Sequence, residues 1–455
     1  MDAVLLARIQ FSLTIMFHFL FPPITIGLAA LIAIVEGVRW RTGDDLYRRM
    51  ADFWLKVFAV TFAVGVATGI TMEFQFGTNW AGYSRFVGDV FGAPLAAEGV
   101  LAFFLESGFL GLLLLGRRRI SSGLRFFSAL MVAFGSTLSG FWILVANSWM
   151  QTPAGFRIVN GRAELTDFSE AVLNPSTWPR FLHTIASCWV AAGFLMAGIA
   201  AWYVLRGRAS DVARASLRLG TVVSLVAIVT SFLTGDHHAK QVARTQPAKF
   251  AAMEGLYDTT TGAPLILWAL PPDQERKREG PEVLVTNLTS FLAFGDFQAP
   301  VKGLNEFPPE EWPPIAVTFL AFRHMVIVGN LMLGLALVGA FLLYRRRLET
   351  TRWWLRAMVW AIPLPTIAIQ LGWITAEVGR QPWIVYGVLK TKDAVSRTVP
   401  AGNVLFSIVL FSVVYALLAY FWLHVLRKEI LHGPEGDPRG AAPAAAAGAT
   451  APEGA

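Results

Sequence analysis

The sequence predicts an all-α integral membrane protein of nine transmembrane helices, N-terminus outside and C-terminus cytoplasmic. Three observations carry that prediction. Of 455 residues, 55% are hydrophobic and 15% charged, with a mean hydropathy of +0.52, too apolar for a water-soluble chain of this size. The apolar residues gather in blocks of about 20, enough to cross a hydrocarbon core. Arginines cluster in short runs between alternate blocks, as expected of loops that stay on the cytoplasmic side. The net charge of +7 suggests nucleic acid, but this distribution argues against it.

The nine blocks are 9–36, 53–76, 95–116, 124–148, 181–205, 218–236, 314–344, 353–375 and 402–426. The first lacks a basic leader and a small-residue cleavage site, so it reads as a retained span. After it come Arg39, Arg41, Arg48 and Arg49; after the third, Arg117, Arg118 and Arg119; after the fifth, Arg206, Arg208, Arg214 and Arg218. After the seventh come Arg345, Arg346, Arg347 and Arg352, and after the ninth, Arg427 and Lys428. The intervening connections are longer, mixed in charge and rich in Pro, Gly and Trp. The organisation predicted is therefore 1–236, six helices; 237–313, a long outer loop with the charged stretch "PPDQERKREGPE"; 314–432, three helices; and 433–455, a low-complexity tail expected to be disordered. The single cysteine, Cys188, lies in an apolar block, which excludes an intramolecular disulfide and a CxxC site.

Polar residues inside these blocks are costly and point to function. His18, Glu98, Glu106, His183, Arg323, His324, Met325, Glu377 and Arg380 all fall in the outer half of the bilayer on this topology, as one polar compartment near the outer surface would require. Histidine and methionine are haem-iron ligands, and a His/Met pair fills both axial positions of a low-spin iron. His183 and Met325 are on different spans at similar depth. His18 has no second soft ligand. Glu377 is a hard anionic candidate, with Arg380 offsetting its charge or pairing a propionate. Each has a plainer reading: helix–helix hydrogen bonding for the histidines, gap filling for Met325, an interfacial ion pair for Glu377–Arg380. His324 is turned about 100° from Met325 and reads as packing; His237 and His238 read as solvated loop residues. Glu98 and Glu106 are eight residues apart, about 12 Å along a helix and about 80° around it. Two carboxyls in series suit a proton relay, with Ser107, Ser139 and Asn147 as further steps; the plainer alternative is a hydrogen bond to a neighbouring helix.

With these residues assembled, the sequence resembles subunit I of cytochrome bd quinol oxidases, including their cyanide-insensitive branch. The likeness rests on "ARIQFSLTIMFHFLFPP" at 7–23, "EFQFGTNW" at 73–80, "EGVLAFFLES" at 98–107, "AFRHMVIVG" at 321–329 and "GWITAEVGRQPW" at 372–383. It covers the chain except the tail. The resemblance implies that His183 and Met325 hold a low-spin haem b, and that His18 and Glu377 serve two high-spin haems. One of these is a haem b; the other, where dioxygen is reduced, is haem d or a third haem b. Which of His18 and Glu377 serves which stays open. Arg323 lies beside the low-spin ligand, and Trp373 and Arg380 match positions near the high-spin pair. Glu98 and Glu106 match acidic residues proposed to deliver protons. Lys249 and Glu254, in "QPAKFAAMEG", match the quinol-handling pair, a base taking a hydroxyl proton while a cation steadies the anion.

The outer loop is short and resembles the short-loop class. The resemblance further implies a second large membrane subunit, with or without a small single-helix one, and residence in the bacterial cytoplasmic (inner) membrane. Ubiquinol or menaquinol would be oxidised at the outer face, and protons drawn from the cytoplasm would be consumed in making water, which separates charge without a pump. A secondary transporter would show inverted repeats and midplane polar groups instead, and a haem-free anchor would need no His and Met at matching depth.

Overall fold

The computed structural model describes residues 2–116, 119–208, 210–270 and 281–434. Among them, nine helical stretches are long and apolar enough to cross a membrane. They are span one, Ala3–Thr42; two, Asp45–Thr78; three, Ala81–Gly116; four, Ser122–Gln151; five, Thr177–Leu205; six, Asp211–Thr245; seven, Ile315–Tyr344; eight, Arg352–Val378; and nine, Ala401–His432. Eight of them contain one of the nine blocks read from the sequence and extend beyond it; span seven coincides with its block, 314–344, but starts one residue later. The extensions arise because nothing stops the helix where the apolar run ends. Span six continues to Thr245 and stops where Gln246 precedes Pro247, a residue whose ring disfavours helix before it.

That extension corrects one expectation. His237 and His238 lie within span six, not in a loop. His237 is exposed, but His238 is half-buried, with its ring 6.0 Å from that of His183 and its Nε2 buried. Span one is broken, by contrast: its helices Ala3–His18 and Pro22–Thr42 flank a turn at 19–21. Pro22 and Pro23 bring no N–H to the preceding carbonyls, so the first helix ends at His18.

The arginine-rich connections lie together on one face. Arg208, after span five, donates from Nη1 to the Leu431 carbonyl at the end of span nine at 2.8 Å. Arg218 pairs with Glu349, after span seven, at 2.7 Å. Arg125, opening span four, donates from Nε (2.9 Å) and Nη2 (2.6 Å) to Glu36 Oε1 of span one, and from Nη2 to Asp52 of span two at 2.8 Å. Glu36 and Arg125 are 1% and 2% exposed. Arg117 and Arg118 lie outside the described residues, as do 271–280, most of the charged stretch, and 435–455, most of the tail.

Span five is the most enclosed helix, and small residues let its neighbours come close. A Cβ on Gly27 of span one would lie 2.3 Å from the Cys188 carbonyl oxygen, so only glycine permits this backbone contact. Spans one to five share a core around Leu28, Trp54, Phe58, Leu113 and Met196. Spans five to eight share another around Phe194, Leu217, Met332 and Trp354. The connection after span six folds over the bundle. It opens with a short helix, Pro247–Glu254, and its Phe250, Met253, Ala263 and Val301 pack with Val242 against Phe322 of span seven.

Candidate functional site

His18 ends the first half of span one, and its Nδ1 meets Thr68 Oγ1 of span two at 2.9 Å. That hydroxyl donates to the Val64 and Gly65 carbonyls, so it accepts from His18. His183 of span five places Nδ1 3.1 Å from the Ser231 carbonyl oxygen of span six, which can only accept. Both rings therefore carry the proton on Nδ1. That leaves Nε2 with its lone pair and no hydrogen-bond partner among the described residues, which is how a ligating imidazole is held. Glycines clear the space beside them: a Cβ on Gly69 would lie 3.2 Å from His18 Cε1, and one on Gly235 3.0 Å from His183 Cε1. Met325 repeats the pattern, with its Sδ 3.1 Å from where a Cβ on Gly372 would stand. Spans five to eight pack as one group, which carries His183, Met325 and Glu377.

Glu377 sits at the end of span eight within a ring of donors. Asn147 Nδ2 and Gln151 Nε2, both of span four, donate to its Oε1 at 3.1 Å each. Arg380 Nη2 donates to Oε2 at 2.5 Å, and Arg180 Nη2 lies 3.6 Å from Oε1. Arg180 also donates to Asn147 Oδ1 and holds its guanidinium 5.9 Å from the centre of the Trp373 ring. Trp373 in turn packs edge-on against Phe19, 4.9 Å away, beside His18. His18, Trp373, Arg180 and Glu377 thus form one contiguous region, next to His183.

Lys249 joins it from above. Its Nζ donates to Gln151 Oε1 and Gln246 Oε1, at 2.6 Å each. Burial, then the positive charge of Arg180, outweighing Glu377, and that of Arg380, push its pKa well below the ordinary lysine value. The unfolded chain therefore binds more protons here than the folded one as pH climbs toward 10.5, so this lysine makes stability rise with pH over that interval. Lys249→Met is expected to flatten the rise in thermal midpoint between neutral and alkaline pH, followed by heating the detergent-solubilised complex at a series of pH values. Glu254, on the same short helix, is ion-paired with Arg323 of span seven and accepts from Thr289 at 3.4 Å. The structure does not bring Lys249 and Glu254 into contact: each is buried against its own partners.

Glu98 and Glu106 both face span four. Ser139 Oγ donates to Glu98 at 2.8 Å, and Ser136 Oγ donates to Glu106. Two serines three residues apart share a helix face, so the carboxyls are not about 80° apart as regular α geometry gives. The cause is a π-helical stretch, Glu98–Phe103, whose wider turns bring both carboxyls to one side. Ser107 takes no part, since its hydroxyl donates to the Phe103 carbonyl. Ser136, Ser139, Asn147 and Gln151 make span four a polar stripe from these carboxyls toward Glu377.

Sequence reasoning missed Arg180, Ser136, Gln151 and His238. Arg180 carried one signal, being three residues before His183 and therefore on the same helix face. His324 is exposed and bonded to its own helix, at the Leu320 carbonyl. Among the described residues no three His, Cys, Asp or Glu side chains cluster as a metal cage. A porphyrin iron asks the protein for only one or two axial ligands. The free Nε2 atoms, the glycine-cleared spaces and the arginine donors fit such a group.

The family described as "Cytochrome bd terminal oxidase subunit I" matches residues 6–434. The chain is 42% identical over 447 residues to the cytochrome bd ubiquinol oxidase subunit 1 of Bacillus subtilis (strain 168), covering 96% of this chain and 95% of that one. It is 37% identical over 503 residues to the cytochrome bd-II ubiquinol oxidase subunit 1 of Escherichia coli (strain K12), covering 95% and 97%. The solved bd oxidase from Geobacillus thermodenitrificans superposes with a TM-score of 0.90 at 33% identity, covering 95% of this chain and 99% of that one.

Proposed function

Because this chain belongs to the cytochrome bd terminal oxidase subunit I family, and is thus a multi-pass subunit of a quinol oxidase, we propose that it is the haem-bearing catalytic subunit, oxidising quinol at the outer face and reducing dioxygen to water. One observation carries the proposal. Two histidines on separate spans each donate Nδ1–H to a neighbouring helix and keep an Nε2 with no partner among the described residues, with a glycine leaving room at the Cε1 edge of each ring.

In this reading His183 and Met325 would hold a low-spin haem b. His18 and Glu377 each serve one of two high-spin haems, a haem b and either haem d or a further haem b. Bound haem supplies one-electron transfer and an iron that takes up dioxygen. The protein's side chains do the rest. Glu254, held by Arg323 and Thr289, takes the proton of a quinol hydroxyl, and Lys249 steadies the developing anion. The connection between spans six and seven is the quinol-handling loop, and Trp373 and Arg380 hold the surroundings of Glu377 rigid. Glu106 and Glu98, aligned on the serines of span four, pass protons from the cytoplasmic side toward Glu377. Protons released outside and consumed from inside would build a proton motive force without a pump. A second large subunit, with or without a small single-helix one, completes the complex in the cytoplasmic membrane.

The test is the visible spectrum of the purified complex with and without dithionite, joined to a pyridine haemochrome. The expected result is a low-spin b band and high-spin bands, and loss of the low-spin band alone in His183→Ala. A colourless complex with its subunits intact, or an unchanged low-spin band in the variant, would count against the assignment.

A further inference from the structure

The region around Glu377 is out of electrical balance. Arg180 and Arg380 are 5% and 4% exposed, and each brings a guanidinium group. One carboxylate, Glu377, faces the two of them, at 3.6 and 2.5 Å. Setting Lys249 aside, one full positive charge is left over in a buried place. The donors are in excess too: Arg180 Nε and Arg380 Nε and Nη1 are buried with no hydrogen-bond partner among the described residues. Buried guanidinium donors without an acceptor are costly, and a buried cation calls for a compensating anion. Arg323 also has a buried Nε without a partner, but its charge is matched one to one by Glu254.

Position narrows the choice of anion. Arg180 lies three residues before His183 on span five, so the two side chains leave neighbouring points on one helix face. Its Nη2 reaches the other way, to Asn147 and Glu377. It therefore stands between the two candidate iron sites, and belongs to both.

We propose that Arg180 and Arg380 form an anion cradle between the His183 and Glu377 sites, and that its occupants are propionate carboxylates of the haems bound at those sites. The proposal rests on the ligand assignment above. The planar fork of a guanidinium suits a carboxylate in two-point contact, and a porphyrin held at His183 or Glu377 would have carboxylates of its own to offer these donors. The fixed positive charge would then favour the added electron at both sites, and Arg180 acts as a positioning residue that raises both potentials together.

The test uses Arg180→Gln and Arg180→Lys in the intact complex, read by spectropotentiometry. In Arg180→Gln, haem content is expected to hold while the low-spin and high-spin midpoints both fall. A drop of about tenfold in each reduction equilibrium corresponds to about 59 mV for a one-electron couple. Arg180→Lys is expected to restore most of both. A low-spin midpoint that does not move, with only the high-spin signal altered, would overturn the cradle and leave Arg180 as a support for Glu377. If Arg180→Gln does not assemble, Arg180→Lys decides by redox-difference infrared spectroscopy. Losing the fork while keeping the charge should shift the propionate carboxylate bands at both sites, and unshifted bands would overturn the proposal. Failure of the ligand assignment is distinguishable, because it shows in His183→Ala and not in the Arg180 variants.

Discussion

Glu377→Ala is expected to lower quinol-driven oxygen consumption by about a hundredfold or more and to remove one high-spin absorbance from the purified complex. Two effects act in the same direction. The variant loses the proposed ligand, and it leaves Arg180 and Arg380 without the one protein carboxylate that faces them. Removing one partner of a buried pair costs roughly 3–5 kcal/mol, because the remaining charge stays desolvated. Asn147 Nδ2 and Gln151 Nε2 lose their acceptor as well. Glu377→Gln separates the contributions. It keeps the side chain's shape and one acceptor oxygen but not the charge, so the high-spin signal should weaken while the complex still assembles. If Glu377→Ala keeps its full spectrum and turnover, Glu377 is only half of an interfacial ion pair.

Arg125→Ala should produce the largest loss of stability outside that region, about 3 kcal/mol, seen as a lower thermal midpoint in detergent or nanodiscs. Glu36 is 1% exposed and loses both of its short bonds to Arg125. The low end of the range applies because Arg39 Nη1 remains 3.2 Å from Glu36 Oε2. The double variant Glu36→Gln, Arg125→Ala is expected to be milder than Arg125→Ala alone, since no charge is then left buried without a partner. Absorbance and low-temperature turnover should be unchanged, because this cluster lies on the face opposite the candidate site. An unaltered midpoint in the single variant would mean that water reaches Glu36.

The number and order of spans were legible because hydrocarbon thickness imposes a length and a composition that no soluble helix shares. Helix ends were less legible, because hydropathy reports where lipid stops and not where backbone bonding stops. Hence His238 was read as a loop residue when no proline intervenes before Pro247. His18, His183, Met325 and Glu377 stood out as polar or soft side chains in apolar runs. Their supporting residues did not. Arg180 and Gln151 lie at span ends, where a charge or an amide is unremarkable, and their importance appears only when spans four, five and eight are brought together. The carboxyl pair was visible, but its alignment was not, since nothing in "EGVLAFFLE" announces a π turn.

The contact between Gly27 and the Cys188 carbonyl has a consequence for electron flow. Gly27 lies nine residues beyond His18, in the second helix of span one, and Cys188 five beyond His183, so the helix that follows His18 meets the helix carrying His183 backbone to backbone with no side chain as a cushion. Tunnelling falls off steeply with distance, and a gap set by two main chains in contact fluctuates far less than one set by rotating side chains. A single missing methyl group would thus help fix how far apart the two spans that carry the proposed histidine ligands can sit.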